Sequence, residues 1–350
     1  MRVLIATLEY PPGLSGGIGH FYRDLHDGLV ERGDEVRVVT ASNSKRALRS
    51  RWDLTRNVAR KAGEFYADVV ETHDWAGPLL WRPGCPTIVR MHGAHSAHAQ
   101  NRGQRPSRFW SRLERRTLAA ADVLASVSKS IGELTLSACR IPNRRFHVIP
   151  NGVDTRLFSP QPVEKDPGEI LYVGSIHERK GLVELFRSVQ RVFAERPDAR
   201  LTLVGRAVDP TFEQRLVENL PRGTRARVRF LGAVPRRQLP YLYSRAGVVV
   251  APSLSEAFGL TALEAMSCGT PPIVGSRGGS TEVVKHGRSG LLVDPRNEHE
   301  LSNALRLLLG DDALRIAMGF AARRRACRHF EMSAVVERSR ALYQEAISQA

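Results

Sequence analysis

The sequence predicts an α/β protein of two doubly wound domains, and three observations predict it. Short β-branched runs alternate with helix-period stretches along the 350 residues. The runs are apolar on both faces, as parallel strands covered by helices should be. The alternation also occurs twice, on either side of the link PNGVDTRLFSPQPVEKDPGE at 150–169, which holds four prolines. A chain of this length has room for two domains that each bury a core. Two such domains facing each other make a cleft, and ligands lie outside the carboxyl ends of the strands.

In order, the first-half strands are expected at 2–6, 36–40, 68–71, 87–91, 122–127 and 146–150. The clearest helix among them is 18–32, with Phe21, Leu25 and Leu29 at spacing four and Gly33 as the stop. Strands of the second half are expected at 170–174, 201–205, 227–231, 247–251, 271–274 and 290–293. Val335, Val336, Leu342, Tyr343 and Ile347 give 332–347 a helical period. The expected division is 1–160 for the first domain, 161–331 for the second, and 332–350 for a helix packing back toward the first.

Composition is that of a globular protein, 42% apolar and 25% charged. No run of about 18 apolar residues exists to span a bilayer. The start, MRVLIATLEYPP, reads as a first buried strand and not as a signal peptide. Cys85, Cys139, Cys268 and Cys327 show no paired spacing, so free thiols and a cytoplasmic setting are expected. Net charge is +16, with 46 Arg among the 52 basic residues. Residues 45–61 carry seven basic and one acidic residue, and 102–116 carry six and one, so the first half's basicity sits in two segments. The second holds a helix at 107–118, with Ser107 as N-cap. Phe109, Trp110, Leu113 and Thr117 lie on one side of it, and Arg108, Arg112 and Arg115 on another. The first pairs Leu48 and Trp52 with Arg49, Arg56 and Arg60. From these we expect a basic surface, marked by Arg49, Arg56, Arg108 and Arg112, that meets an anionic molecule or membrane. The competing reading is a set of solvated arginines over inward-packed aromatics.

The richest chemistry lies in SEAFGLTALEAMSCGTPPIV, 255–274. Glu256 and Glu264 flank the turn Phe258-Gly259-Leu260. A helix over 261–268 leaves the N–H groups of Gly259 and Leu260 unpaired at its positive end, which suits a phosphate. Glu264 then points toward what hangs off that phosphate, such as ribose hydroxyls, and Glu256 toward the opposite end of the ligand. Gly16 and Gly17 open the first helix and let backbone approach phosphate or sugar, although the dinucleotide spacing is absent. Arg179 and Lys180 end the first strand of the second half and can neutralise a diphosphate, or simply cap a loop. His92 closes the strand TIVRMH. With His95 and His98 it has no carboxylate or cysteine in a metal-ligand pattern, and no D-x-D motif occurs, so no metal and no cofactor are expected.

Together these residues resemble the retaining glycosyltransferases of family four, the group that includes phosphatidylinositol mannosyltransferases and sucrose synthases. The resemblance runs through Gly16 and Gly17, His73-Asp74-Trp75, the MHG around His92, and VIPNGVD at 148–154. It continues through Val173–Gly181 with its RKG, the E-x7-E pair Glu256 and Glu264, and GGSTEVVKHGRSGLLVDP at 278–295. It implies the GT-B fold, two facing Rossmann-like domains, and a nucleotide-diphosphate sugar held by the second. It further implies Lys180 on the diphosphate, Glu256 on sugar hydroxyls, Glu264 on the ribose, His92 near the transferred sugar, and transfer with retention to a hydroxyl acceptor. Ser175 stands where many members carry arginine, which leaves Arg179 as the second phosphate cation. A same-fold nucleotide-sugar epimerase is the alternative. A nucleic-acid binder is disfavoured, since no helix-turn-helix, zinc or RNP pattern accompanies the charge.

Overall fold

The computed structural model describes residues 1–11, 16–41, 47–218 and 220–349. The chain divides into two compact units, residues 1–152 with 332 onward, and 153–331. The change of unit falls earlier than the expected 160/161. The N–H of Val153 donates to the Phe330 carbonyl at 2.9 Å. Phe158 is buried against the Tyr243 ring, 6.2 Å between centroids. Residues 153–160 therefore pack with the second unit.

In the first unit the strands are β1 (Arg2–Thr7), β2 (Glu35–Thr40), β3 (Val69–His73), β4 (Thr87–Met91), β5 (Val123–Ser126) and β6 (His147–Val148). They form one parallel sheet in the order β2-β1-β3-β4-β5-β6. Alternation along β1 splits its side chains between two layers. Val3 and Ile5 pack with the helices Gly17–Glu31 and Met332–Ser348, while Leu4 and Ala6 pack with the helix Ala47–Phe65. The apolar face predicted for 332–347 is the reason this last helix returns to the first sheet: Val335, Val336, Leu342 and Tyr343 are all buried there.

The second unit holds β7 (Asp166–Val173), β8 (Arg200–Val204), β9 (Val228–Gly232), β10 (Ala246–Ala251), β11 (Pro272–Gly275) and β12 (Leu291–Val293). Their order is β12-β11-β10-β7-β8-β9, again parallel. Counted from β7, this is the six-stranded Rossmann order, which reverses direction between β7 and β10. In the first sheet the reversal lies between β1 and β3. All twelve expected strands are present. The first unit's sixth strand is shorter than expected, and β7 starts earlier, at Asp166, which pairs with Ala246 of β10.

Candidate functional site

At the reversal in the second sheet, β7 runs into Gly174–Gly181 and β10 into Pro252–Gly259. The N–H of Leu254 donates to the Arg179 carbonyl at 3.2 Å. Gly181 has φ +70°, and a Cβ there would run into the Pro252 carbonyl, so glycine is what lets the two loops close on each other. The contact places Lys180 Nζ 2.8 Å from Glu256 Oε2, which also accepts the Ser253 hydroxyl at 3.0 Å. Both partners of the ion pair keep about a fifth of their side-chain surface in solvent (19% and 23%).

Gly259, at φ +98°, caps the helix Leu260–Ser267 at its positive end. The Thr261 hydroxyl donates to the Val173 carbonyl at 3.1 Å and fixes that helix start beside the end of β7. Phe258 is buried edge-on to Phe330, 5.8 Å between centroids. One turn on, Glu264 Oε2 accepts the Tyr243 hydroxyl at 2.8 Å. Burial, and then the Glu264 charge, push that phenol well above its usual range. The Gly279 N–H donates to the Glu256 carbonyl at 2.9 Å, bringing the glycine-rich 278–295 segment to the same place. Ser175 turns its carbonyl to the Tyr172 hydroxyl at 2.8 Å. That buried phenol is raised by burial first and then by Glu256, with Arg179 opposing, so both charged groups act on it.

The corresponding end of the first sheet is dominated by burial. The Leu8 N–H donates to His73 Nε2 at 3.2 Å, so the ring proton of His73 sits on Nδ1. Burial, and then the Arg51 charge, lower His73 to about 3. Asp74 is fully buried, accepts the His92 N–H at 2.8 Å and the Thr135 hydroxyl at 3.4 Å, and is pushed up by burial to about 7. His92 directly follows β4, with its ring 4.9 Å from Phe21 and 5.7 Å from Tyr22. Burial, then Arg90, then His73 hold it well below the usual histidine range, so its imidazole is neutral.

Arg90 itself is fully buried. It donates to both carboxylate oxygens of Glu71 at 2.7 and 3.1 Å and to the Ser339 hydroxyl at 2.9 Å, while the Tyr343 hydroxyl donates to Glu71 at 2.5 Å. Gly16 and Gly17 are exposed at the start of the Gly17–Glu31 helix, and the Gly16 N–H donates to Glu9 Oε2 at 2.8 Å. Residues 12–15 of the glycine loop lie outside the described residues.

The two basic segments lie on neighbouring helices. Arg51 puts its guanidinium 5.8 Å from the Trp110 ring and so joins the helix Ala47–Phe65 to the helix Arg108–Ala119. Arg49, Arg56, Arg108 and Arg112 are exposed, and none of them forms an ion pair among the described residues. Arg60 is committed to Glu64 and Asn57. Residues 45 and 46, and the side chain of Leu48, lie outside the described residues. The expected inward packing of the second helix holds for Leu113 and Thr117, whereas Phe109 is 41% exposed and Trp110 half-buried. Ser107 precedes this helix without a side-chain capping bond.

The structure thus gathers Arg179, Lys180, Glu256, Phe258, Gly259, Leu260 and Glu264 at one end of the second sheet. His92 lies in the first unit against the Gly17–Glu31 helix. Sequence reasoning missed Tyr243 and Ser253, which orient the two glutamates, and Asp74 as a buried acid. It also missed Glu114, buried, whose carboxylate accepts the N–H groups of Ala76, His95 and Ser96 at 3.3, 2.7 and 3.1 Å. One signal for Glu114 was available: it is the only acid in its basic run and falls four residues after Trp110, on the inward side. Among the described residues no group of three or more His, Cys, Asp or Glu is placed to hold a metal ion, and no helix is long and apolar enough to cross a membrane. The four cysteines are free thiols.

Two Rossmann-like units are the architecture of the GT-B fold, and similarity to known proteins makes the chain a glycosyltransferase. The family model for Glycosyltransferase Family 4 matches residues 15–157, and that for Glycosyl transferases group 1 matches 154–325. An uncharacterized glycosyltransferase of Methanocaldococcus jannaschii is 30% identical, across 89% of this chain and 90% of its own. D-inositol 3-phosphate glycosyltransferase of Corynebacterium glutamicum is 31% identical, across 80% and 73%. Among solved structures, sucrose-phosphate synthase of Thermosynechococcus elongatus superposes with TM-score 0.84 at 23% identity, covering 100% of this chain and 99% of that one. Anabaena HepE in complex with UDP-glucose superposes with TM-score 0.77 at 20% identity, covering 100% of each. The chain belongs to the glycosyltransferases of family four.

Proposed function

We propose that this enzyme moves a hexosyl group from a nucleotide-diphosphate sugar to a hydroxyl acceptor, with retention of anomeric configuration and without a metal ion. The observation that carries the reading is the Lys180–Glu256 pair at the reversal of the second sheet, beside the positive end of the Leu260–Ser267 helix. Breaking the bond between sugar carbon and diphosphate oxygen leaves the electron pair on the diphosphate. Lys180, exchanging Glu256 for the departing oxygens, would stabilise that charge, with Arg179 and the N–H groups of Gly259 and Leu260 beside it. Glu256, once released, would accept hydroxyls of the sugar. Glu264, oriented by Tyr243, would accept those of the ribose. Gly16 and Gly17 would offer backbone to the donor. The acceptor oxygen forms the new bond to the same carbon on the face from which the diphosphate departs, and its proton passes to that diphosphate, so the anomer is kept. Neutral His92 would meet the transferred sugar without adding a cation to an oxocarbenium-like centre.

Support for the donor class comes from the Anabaena neighbour solved with UDP-glucose. A thermal-shift panel of UDP-, GDP-, ADP- and TDP-sugars tests it, because a ligand at 100 times its dissociation constant stabilises by about 2.7 kcal/mol. No shift with any of the four would remove the reading. Incubation of the bound donor without acceptor checks for an epimer, and an epimeric donor as the product would replace transfer by epimerisation. Activity is expected to persist in EDTA. Complete loss restored by Mg²⁺ or Mn²⁺ would overturn the metal-free mechanism.

The exposed Arg49, Arg56, Arg108 and Arg112, with Trp52 (53% exposed) and Phe109 beside them, favour peripheral contact with an anionic membrane at its cytoplasmic face. Co-sedimentation with anionic vesicles should exceed that with neutral ones and fall when the four arginines become glutamate. Equal sedimentation with both would remove the membrane contact.

A further inference from the structure

The end of the second sheet opposite Lys180 carries an amine that the transfer mechanism does not use. Lys165 directly precedes β7, and its Nζ donates to the Ala246 carbonyl at the start of β10, at 3.0 Å. It also donates to the Thr270 hydroxyl oxygen at 2.8 Å. The Thr270 hydroxyl spends its own proton on the Tyr243 carbonyl at 2.6 Å, so toward Lys165 it can only accept. Lys165 is half-buried, and both of its acceptors are uncharged. Among the described residues no carboxylate pairs with it, and Asp166 beside it is held by Arg200 and Arg245.

The charge that acts on this amine is a second cation. Arg315, on the helix Asp312–His329, is 3% exposed. Gly319, one turn on and on the same face, packs against the Gly269 carbonyl next to Thr270, where a Cβ would meet that oxygen. Arg315 Nη1 donates to the Leu308 carbonyl at 3.1 Å and pairs with the exposed Asp312 at 2.7 Å, while its Nε is buried without a partner. Burial, and then the Arg315 charge, lower the Lys165 amine to about 8. Cys268, which also acts on it, is pushed up to about 12, by burial first, and stays a neutral thiol. At pH 8 about half of Lys165 is therefore free amine.

We propose that Lys165 is a carbon dioxide site, where its amine adds CO₂ to form a carbamate whose negative charge meets Arg315. This goes beyond glycosyl transfer and does not depend on it. A lysine drawn out of water beside another cation is an activated nucleophile. The two N–H bonds of the free amine are spent on Ala246 and Thr270, which leaves its lone pair uncommitted. That pair forms the N–C bond, one C=O pair moves onto oxygen, and an amine proton leaves to water. The remaining N–H keeps one of the two acceptors. The step turns a cation beside a cation into an anion beside a cation, and it gives the unpartnered Nε of Arg315 an acceptor. Once formed, the carbamate ties the starts of β7 and β10 to the helix Asp312–His329.

The full chain is equilibrated with ¹³C-bicarbonate at pH 8, carbamates are trapped by O-ethylation with a trialkyloxonium salt, and the label is located by mass spectrometry after proteolysis. Lys165 should carry at least tenfold more trapped carbamate than Lys61 or Lys129, both exposed on helices. Peptide mapping separates this label from any at the Met1 amine. The ¹³C carbamate resonance of the wild type should lose its Lys165 component in Lys165→Arg. Arg315→Gln should cut the Lys165 label at least fivefold, whereas Arg315→Lys, which keeps a cation, should hold it within threefold. Circular dichroism shows whether the variants are folded. Should Arg315→Gln not fold, the comparison among wild-type lysines decides alone. Lys165 labelled no more than Lys61 and Lys129, or labelled equally in folded Arg315→Gln, overturns the proposal.

Discussion

The carboxyl ends of the two sheets solve opposite electrostatic problems. In the second unit, Lys180 and Glu256 stay charged and partly exposed, each holding the other. In the first unit, His73, Asp74 and His92 are taken out of water and driven toward neutrality, and the fully buried ion pair of Arg90 with Glu71 is saturated by hydrogen bonds. The difference teaches what each end is built to meet. An ion pair with a fifth of its surface exposed can exchange partners, as the proposed donor diphosphate would require. A cluster whose charges burial suppresses presents mainly shape and hydrogen bonds.

The largest effect that sharpens this contrast is expected at Lys180. Lys180→Ala should slow turnover by about 100- to 1,000-fold, on the order of 2.7–4 kcal/mol, if its charge meets the leaving group. Steady-state kinetics check it, and a loss below about threefold would make Lys180 an ordinary surface cation. Next, Glu114→Ala removes an acceptor shared by three N–H groups and should destabilise the protein by ~3 kcal/mol, read by urea denaturation. Near-wild-type stability would mean that burial in the first unit is less committed than its geometry implies.

The third concerns pH. Asp74 titrates at about 7 when folded, against an ordinary value of 3.8, so between these values the folded state holds more protons than the unfolded chain and stability falls as pH rises. His73, lowered from 6.5 to about 3, acts with the opposite sign: the unfolded chain holds more protons and stability rises with pH. The two nearly cancel between pH 4 and 6.5. His92, also held well below the histidine range, acts with the sign of His73, so Asp74→Asn should steepen the rise of stability with pH and His73→Gln should flatten it, each by up to about 1.4 kcal/mol per pH unit. Urea midpoints from pH 4.5 to 6.5 that keep the wild-type slope in both variants would show that the groups are not held neutral.

The smallest effect separates the two glutamates. Glu264→Ala should weaken free nucleoside diphosphate about tenfold, the equivalent of ~1.4 kcal/mol. Glu256→Ala should spare free nucleotide and impair the intact donor. Calorimetry that finds both variants equally poor with free nucleotide would end that division.

Much of this was legible in the sequence because strands buried on both faces write themselves as continuous apolar runs. The turn at Gly259 and the carboxylates at 256 and 264 were legible because helix periodicity fixes their spacing. Partners brought in from elsewhere in the chain were not. Tyr243 reaches Glu264 from 21 residues away, and Ser339 and Tyr343 reach Arg90 and Glu71 from about 250 to 270 residues away. Nothing local marks such meetings. Asp74 and Glu114 read as charges because a sequence carries no record of burial. The domain boundary was misplaced because prolines mark where a chain turns, whereas Val153 and Phe158 decide which core it joins.

The return of the helix Met332–Ser348 to the first sheet has a consequence for synthesis. Unit 153–331 is contiguous and has all its parts once it leaves the ribosome. The first unit has its six strands early but lacks Ser339 and Tyr343, so Arg90 and Glu71 wait with part of their hydrogen bonding unmade. At ordinary elongation speed, about 5–20 residues per second, the roughly 190 intervening residues take on the order of 10–40 s. The half that begins first on the ribosome is thus the half that is finished last.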